Sequence, residues 1–171
     1  FEALERQTPT HRLADDARYR AAMLDLEQRR PEAFRARLSE LASRYPSGDM
    51  VERALVELAL EARTRGDFAT ARRHLAAALA GPTGAADSEG MEGRSSYWLA
   101  RTLHDLGLRA DAIAAYTRVI RDWPLSYHAQ LAATRLGELG PVPFDEIRVG
   151  AGPLPLGPRE QRAVDALNDA L

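Results

Sequence analysis

Residues 96–136 read SYWLARTLHDLGLRADAIAAYTRVIRDWPLSYHAQLAATRL. Small and large apolar residues recur in this stretch at helical spacing, with Leu99 and Ala100 in one run and Ala112, Tyr116 and Val119 in the next. Gly107 separates the two runs, as a helix stop does, and Pro124 opens a third. The spacing predicts one helix over about Arg94–Leu106, a second over about Arg109–Asp122, and a third from Pro124 to near Leu139 and Gly140. Two helices joined by so short a turn make an antiparallel hairpin.

The same pattern occurs upstream. With Gly66 aligned on Gly107, Leu55 falls on Ser96, Leu58 on Leu99, Ala59 on Ala100, Ala71 on Ala112, Leu75 on Tyr116 and Ala78 on Val119. A hairpin that cannot bury its own faces repeats its small and large residues at each stacking point, so a shared register signals a repeat. Alanines at 59, 71, 100 and 112 mark places where helices approach closely, and Tyr116 fills the gap toward the next helix. The arrangement resembles the tetratricopeptide pattern, with Pro124 at that pattern's terminal proline. The two glycines lie 41 residues apart against a usual repeat of about 34. An insertion over 81–93, marked by Pro82 and repeated glycine, accounts for the excess.

Further upstream, a first helix is expected from a Thr10 N-cap to about Gln28, with Leu13, Ala17, Ala21, Met23 and Leu24 on its apolar stripe. A second runs from Pro31 through Phe34, Leu38 and Leu41 to Tyr45, a third starts at an Asp49 cap, and Asp67 caps a fourth. Phe34 stands where the repeat wants a small residue, which marks the first hairpin as a divergent cap. The fold class is therefore all-α: a tetratricopeptide-like superhelix of about eight helices over 1–140. A Pro/Gly-rich strap follows over 141–158, and the start of a further hairpin over 159–171. The chain opens at Phe1 and ends within a helical pattern at Leu171, so it is expected to be a piece of a longer protein.

Composition removes several functions. At 171 residues and 45% hydrophobic the chain can bury a real core, and a net charge of −2 supplies no basic field for nucleic acid. All basic residues except histidine are arginine, a bias that a GC-rich genome produces by codon usage. The absence of cysteine excludes thiolate nucleophiles, thiolate metal sites and disulfides. No apolar run approaches the roughly 20 residues that span a bilayer. His11, His74, His104 and His128 lack metal-ligand spacing, so no metal site is expected. Asp15 with Asp16 reads as adjacent carboxylates pointing to different faces or into solvent. The GPTG at 81–84 lacks the lysine of a phosphate loop, and GAGPLPLG has no strand–turn–helix unit around it, so no cofactor is expected. No catalytic residue is identified.

In tetratricopeptide stacks the first helix of each hairpin lines the concave side. That resemblance places Arg53, Val56, Leu60 and Arg63 on one such helix, and Arg94, Tyr97, Arg101, His104 and Asp105 on the next. Arg53, Arg63, Arg94, Tyr97, Arg101 and His104 are the candidate binding residues. Arginine grips carboxylates through two parallel hydrogen bonds, and Tyr97 would stack on a ring.

The block Tyr97–Leu139 also resembles the superhelical domain of soluble lytic murein transglycosylases. There a YWLAR-type helix is followed by a helix ending in proline and then by a segment like PLSYYxxLAxxRL. Pro124, Leu125, Ser126, Tyr127, Leu131, Ala132, Arg135 and Leu136 match that segment. In that family the superhelix is non-catalytic and the catalytic glutamate sits in a Glu-Ser motif of a separate domain; this chain has no Glu-Ser dipeptide. The resemblance implies a periplasmic or outer-membrane-associated scaffold that positions peptidoglycan or a peptide or protein partner. The alternative is a tetratricopeptide adaptor of the cell envelope, of the outer-membrane assembly or Tol-associated kind.

Overall fold

In a computed structural model, residues 1–46, 48–81 and 93–140 are described, and among them the chain is all-α. The helices are α1 (Glu2–Gln7), α2 (Ala14–Glu27), α3 (Pro31–Ser39), α4 (Leu41–Arg44), α5 (Met50–Thr64), α6 (Phe68–Ala80), α7 (Arg94–Asp105), α8 (Arg109–Asp122) and α9 (Tyr127–Glu138). Each packs chiefly on its sequence neighbours, and α5 and α7 also reach back to α3 and forward to α9 respectively. None is long and apolar enough to cross a membrane. The insertion from 82 to 92, the 141–158 strap and the 159–171 segment lie outside the described residues.

Three turns fix the hairpins in the same way. After α5, Gly66 adopts φ 75°, its N–H bonds the Arg63 carbonyl, and Asp67 N–H reaches back to the Ala62 carbonyl. After α7, Gly107 adopts φ 73° with the equivalent bonds to His104 and from Leu108 to Leu103. These are Schellman closures, which need one left-handed residue. After α2 the same two bonds form from Arg29 to Leu26 and from Arg30 to Asp25, with Arg29 itself at φ 57°. Arginine thus occupies the place of the two glycines, which is why glycine alignment leaves the first hairpin's register unseen and marks it as divergent.

With Arg29 as the reference, all three hairpins share one register. Ala22, Ala59 and Ala100 are each completely buried, as are Phe34, Ala71 and Ala112 at the facing position. Leu38, Leu75 and Tyr116 form a third set, and Leu41, Ala78 and Val119 a fourth. Three apolar clusters follow along the chain. The first joins α2, α3 and α5 around Phe34, the second joins α5 and α6 around Leu75, and the third joins α7, α8 and α9 around Tyr116. Trp98 packs against the second and third and links them.

Several boundaries differ from expectation. α1 precedes the expected first helix. α2 starts at Ala14 instead of next to Thr10, because a turn closes over His11–Ala14 and His11 Nδ1 accepts from Leu13 N–H at 3.2 Å. Its buried face is Ala14, Ala17, Arg18, Ala21, Ala22 and Asp25, while Leu13 and Leu24 stay largely exposed. The expected second helix breaks at Glu40 into α3 and α4. Pro124 does not begin α9; Ser126 does, its hydroxyl accepting from Ala129 N–H at 3.0 Å. Asp67 caps α6 through Thr70 N–H at 3.1 Å, whereas Asp49 makes no side-chain cap to α5.

Ala100→Trp or Ala112→Trp is expected to cost about 2–4 kcal/mol by overpacking a helix crossing, measured by denaturant unfolding. Parental stability in either variant would disprove the register. Arg29→Gly is expected to stabilise the chain by about 1 kcal/mol by removing a side chain from a left-handed position. The mirror change, Gly66→Ala, is expected to lose about as much.

Candidate functional site

The six candidate residues lie on α5 and α7, and the structure gives them different duties. Arg63 lies over the rings of both Phe68 and Trp98, its guanidinium carbon 5.5 and 5.1 Å from the two ring centres. Its Nη1 donates to Thr102 Oγ1 at 2.8 Å and its Nη2 to Asp105 at 2.5 Å. The Thr102 hydroxyl in turn donates to the Trp98 carbonyl at 2.7 Å. A planar cation held between two rings and a carboxylate is a packed strut between α5 and α7.

Arg94 is also engaged, donating to Glu57 at 2.9 Å while the neighbouring Ser95 hydroxyl donates to Glu52 at 2.9 Å. Both bonds fasten the start of α7 to α5. Arg53 is partly buried on α5 near Tyr19. Burial first, and then the Glu57 charge, push the Tyr19 phenol up, while Arg94 and Arg53 act in the opposite direction.

Tyr97 does not present an open ring face. It is 4% exposed, in an aromatic cluster with Trp98 at 5.4 Å, His128 at 5.7 Å and Tyr116 at 6.1 Å between ring centres. The Arg135 guanidinium sits by its hydroxyl. Arg101 is the loosest of the set, 3.4 Å from Asp105 and 4.0 Å from Glu138 of α9. His104 meets the Tyr116 ring edge-on at 6.2 Å. Among the described residues its Nδ1 is buried without a hydrogen-bond partner, and Arg101 stands beside the Tyr116 hydroxyl. Burial pushes the Tyr116 phenol up to about 12, so it stays protonated at neutral pH.

The structure thus brings Arg63, Arg101, His104 and Tyr97 into one band across α5, α7 and α9. The charge in that band is largely consumed by its own carboxylates, Asp105, Glu57 and Glu138. Its arginines bond to the Asp105 carboxylate and the Thr102 hydroxyl and approach Glu138. Thr102, Trp98 and Tyr116 are integral to it and were not among the candidates. Register offered a signal for Thr102, since Glu61 holds the equivalent place and both are buried polar residues.

One cluster contradicts its sequence reading. Asp15 and Asp16 do not diverge: with Asp49 at the start of α5, their carboxylate oxygens lie within 4.8 Å of one another. Asp15 is buried and accepts from Met50 N–H at 3.3 Å, thereby serving the α5 N-terminus that Asp49 leaves uncapped. Desolvation, then the Asp15 and Asp16 charges, raise the Asp49 carboxyl above its ordinary range.

Arg63→Ala is expected to cost about 2–3 kcal/mol, because it takes a donor from the part-buried Asp105 and Thr102 and removes both ring contacts. Arg63→Lys should recover less than half of that loss in chemical denaturation, since lysine lacks the planar fork. No protein-family model, curated protein or solved structure matches the chain.

Proposed function

We propose that the chain is a non-catalytic binding scaffold of tetratricopeptide-like hairpins that positions a partner, and that its partner is peptidoglycan or the machinery that processes it. The observation that carries the scaffold reading is the shared register of three hairpins. Ala22, Ala59 and Ala100 recur at one depth, and each hairpin hands an apolar face to the next. Stacks of this kind expose long, rigid surfaces on which loops and side chains vary without disturbing the core.

The murein direction is supported by residues 97–139, where the YWLAR helix and the PLSY segment resemble the superhelix of lytic murein transglycosylases. In the structure this block is α7, α8 and α9, with Leu125 and Tyr127 of the PLSY segment 87% and 68% exposed. Large apolar side chains left so open at a helix junction suit contact with a partner.

Incubated with purified murein sacculi, the chain is expected to co-sediment and to release no soluble sugar fragments. Leu125→Ala combined with Tyr127→Ala should reduce the sedimented fraction severalfold at unchanged thermal stability. A chain that stays wholly in the supernatant overturns the murein reading, and release of muropeptides by the pure chain overturns the non-catalytic one.

A further inference from the structure

Helix α9 is built as the first helix of a hairpin. Its closing residue, Gly140, adopts φ 97°, and the Gly140 N–H bonds the Gly137 carbonyl at 3.3 Å, as Gly66 bonds Arg63 and Gly107 bonds His104. Counting back seven residues from Arg29, Gly66, Gly107 and Gly140 gives Ala22, Ala59, Ala100 and Ala133. The first three alanines are completely buried, where the second helix of each hairpin crosses the first. Ala133 is exposed.

The two sides of α9 therefore differ. Ala129, Ala132 and Leu136 hold the register places of Leu55, Leu58 and Ala62 and are buried, the last two in the cluster around Tyr116. The other side carries Gln130, Ala133, Thr134 and Gly137, all exposed, and a Cβ added at Gly137 would meet no atom within 4 Å. In α5 the equivalent places hold Val56, Ala59, Leu60 and Arg63, and in α7 Tyr97, Ala100, Arg101 and His104, none of them exposed. The open side of α9 has no charged residue at these four places, although 28% of the chain is charged. A small, uncharged helix face at hairpin register suits close contact with a second helix.

The chain itself carries a matching sequence outside the described residues. The second helices bury side chains at steps of four and then three: Phe34, Leu38 and Leu41; Ala71, Leu75 and Ala78; Ala112, Tyr116 and Val119. Within 159–171 those steps fall on Ala163, Leu167 and Ala170, the same three residue types as in α6, and Leu171 then matches Leu79 and Ile120. The first-helix pattern does not fit this segment. It places an apolar residue just before the crossing alanine, as Ala21, Leu58, Leu99 and Ala132 do, whereas Arg162, Asp165 and Asp169 precede Ala163, Ala166 and Ala170. The intervening 141–158 reaches up to about 60 Å when extended, against about 18 Å for the length of α9, so the segment can return to the α9 face.

We propose that residues 159–171 fold back as the second helix of a fourth hairpin and cover the open face of α9, with Ala163 crossing Ala133. The segment then closes the hairpin that α9 begins instead of starting another. The inference rests on the hairpin register and not on the murein reading.

The chain has no cysteine, so cysteine pairs introduced into the full chain report proximity directly. Ala133→Cys with Ala163→Cys is expected to form an intramolecular disulfide under mild oxidation at least about tenfold faster than Ala133→Cys with Asp165→Cys, whose second cysteine lies on the opposite side of a helix. Adding Leu167→Asp to the first pair should slow its closure about tenfold by placing a charge in the contact, while Gln161→Asp, on the far side, should leave the rate unchanged. Equal rates for the two pairs, no disulfide in either, or a rate that Leu167→Asp does not alter overturns the proposal. Disulfides that form between chains and not within one assign the α9 face to a second copy and overturn it as well.

Discussion

Close helix crossing at alanine is the constraint on which the rest of the structure depends. At Ala22, Ala59 and Ala100 the first helix of each hairpin meets its second with no exposed surface at all. A methyl group there lets the axes approach, and the approach brings Leu38, Leu75 and Tyr116 deep enough to fill the space toward the neighbouring helix. Larger residues at those positions would push the helices apart and unseat these core side chains. The Schellman turns depend on the same geometry, because a short, left-handed closure works only if the two helices can lie side by side.

Arginine does for the polar contacts what alanine does for the apolar ones. The chain carries no lysine, and the fold uses what the guanidinium uniquely offers. Arg18 makes three bonds in three directions, and Arg63 stacks between two rings while donating to two oxygens. A lysine in either place would satisfy one of these partners as a point charge and leave the others unpaired. Arg35 likewise ties α3 to α5 by donating to the buried Glu61 at 2.6 Å. Cations that look from the sequence like a binding surface are in several cases the bolts between helices.

That distinction sets what was legible in the sequence. Helix α8 spans Arg109–Asp122, as its spacing predicts, and Asp67 caps α6 as expected, because local periodicity and capping chemistry are written within a few residues. The first hairpin was only partly legible, since an arginine at φ 57° does what glycine does elsewhere and no composition rule points to it. The break at Glu40 and the late start of α9 at Ser126 depend on tertiary packing and on which of two adjacent residues supplies the cap. At the site, sequence placed Arg63, Arg94, Tyr97 and Arg101 on neighbouring helices. It gave no account of Asp105 and Glu57 neutralising them, because i to i+40 partners are invisible without the register. The convergence of Asp49 on Asp15 and Asp16 was missed for the same reason.

The register also shows where the hairpins differ. At the positions that stack one helix on the next, the second and third hairpins bury apolar side chains of differing size, Leu75 against Tyr116 and Ala78 against Val119, in one apolar pattern. The first hairpin departs from it with Arg18, which pairs with Glu5 of α1, and with Asp25, which pairs with Arg30 and Arg37.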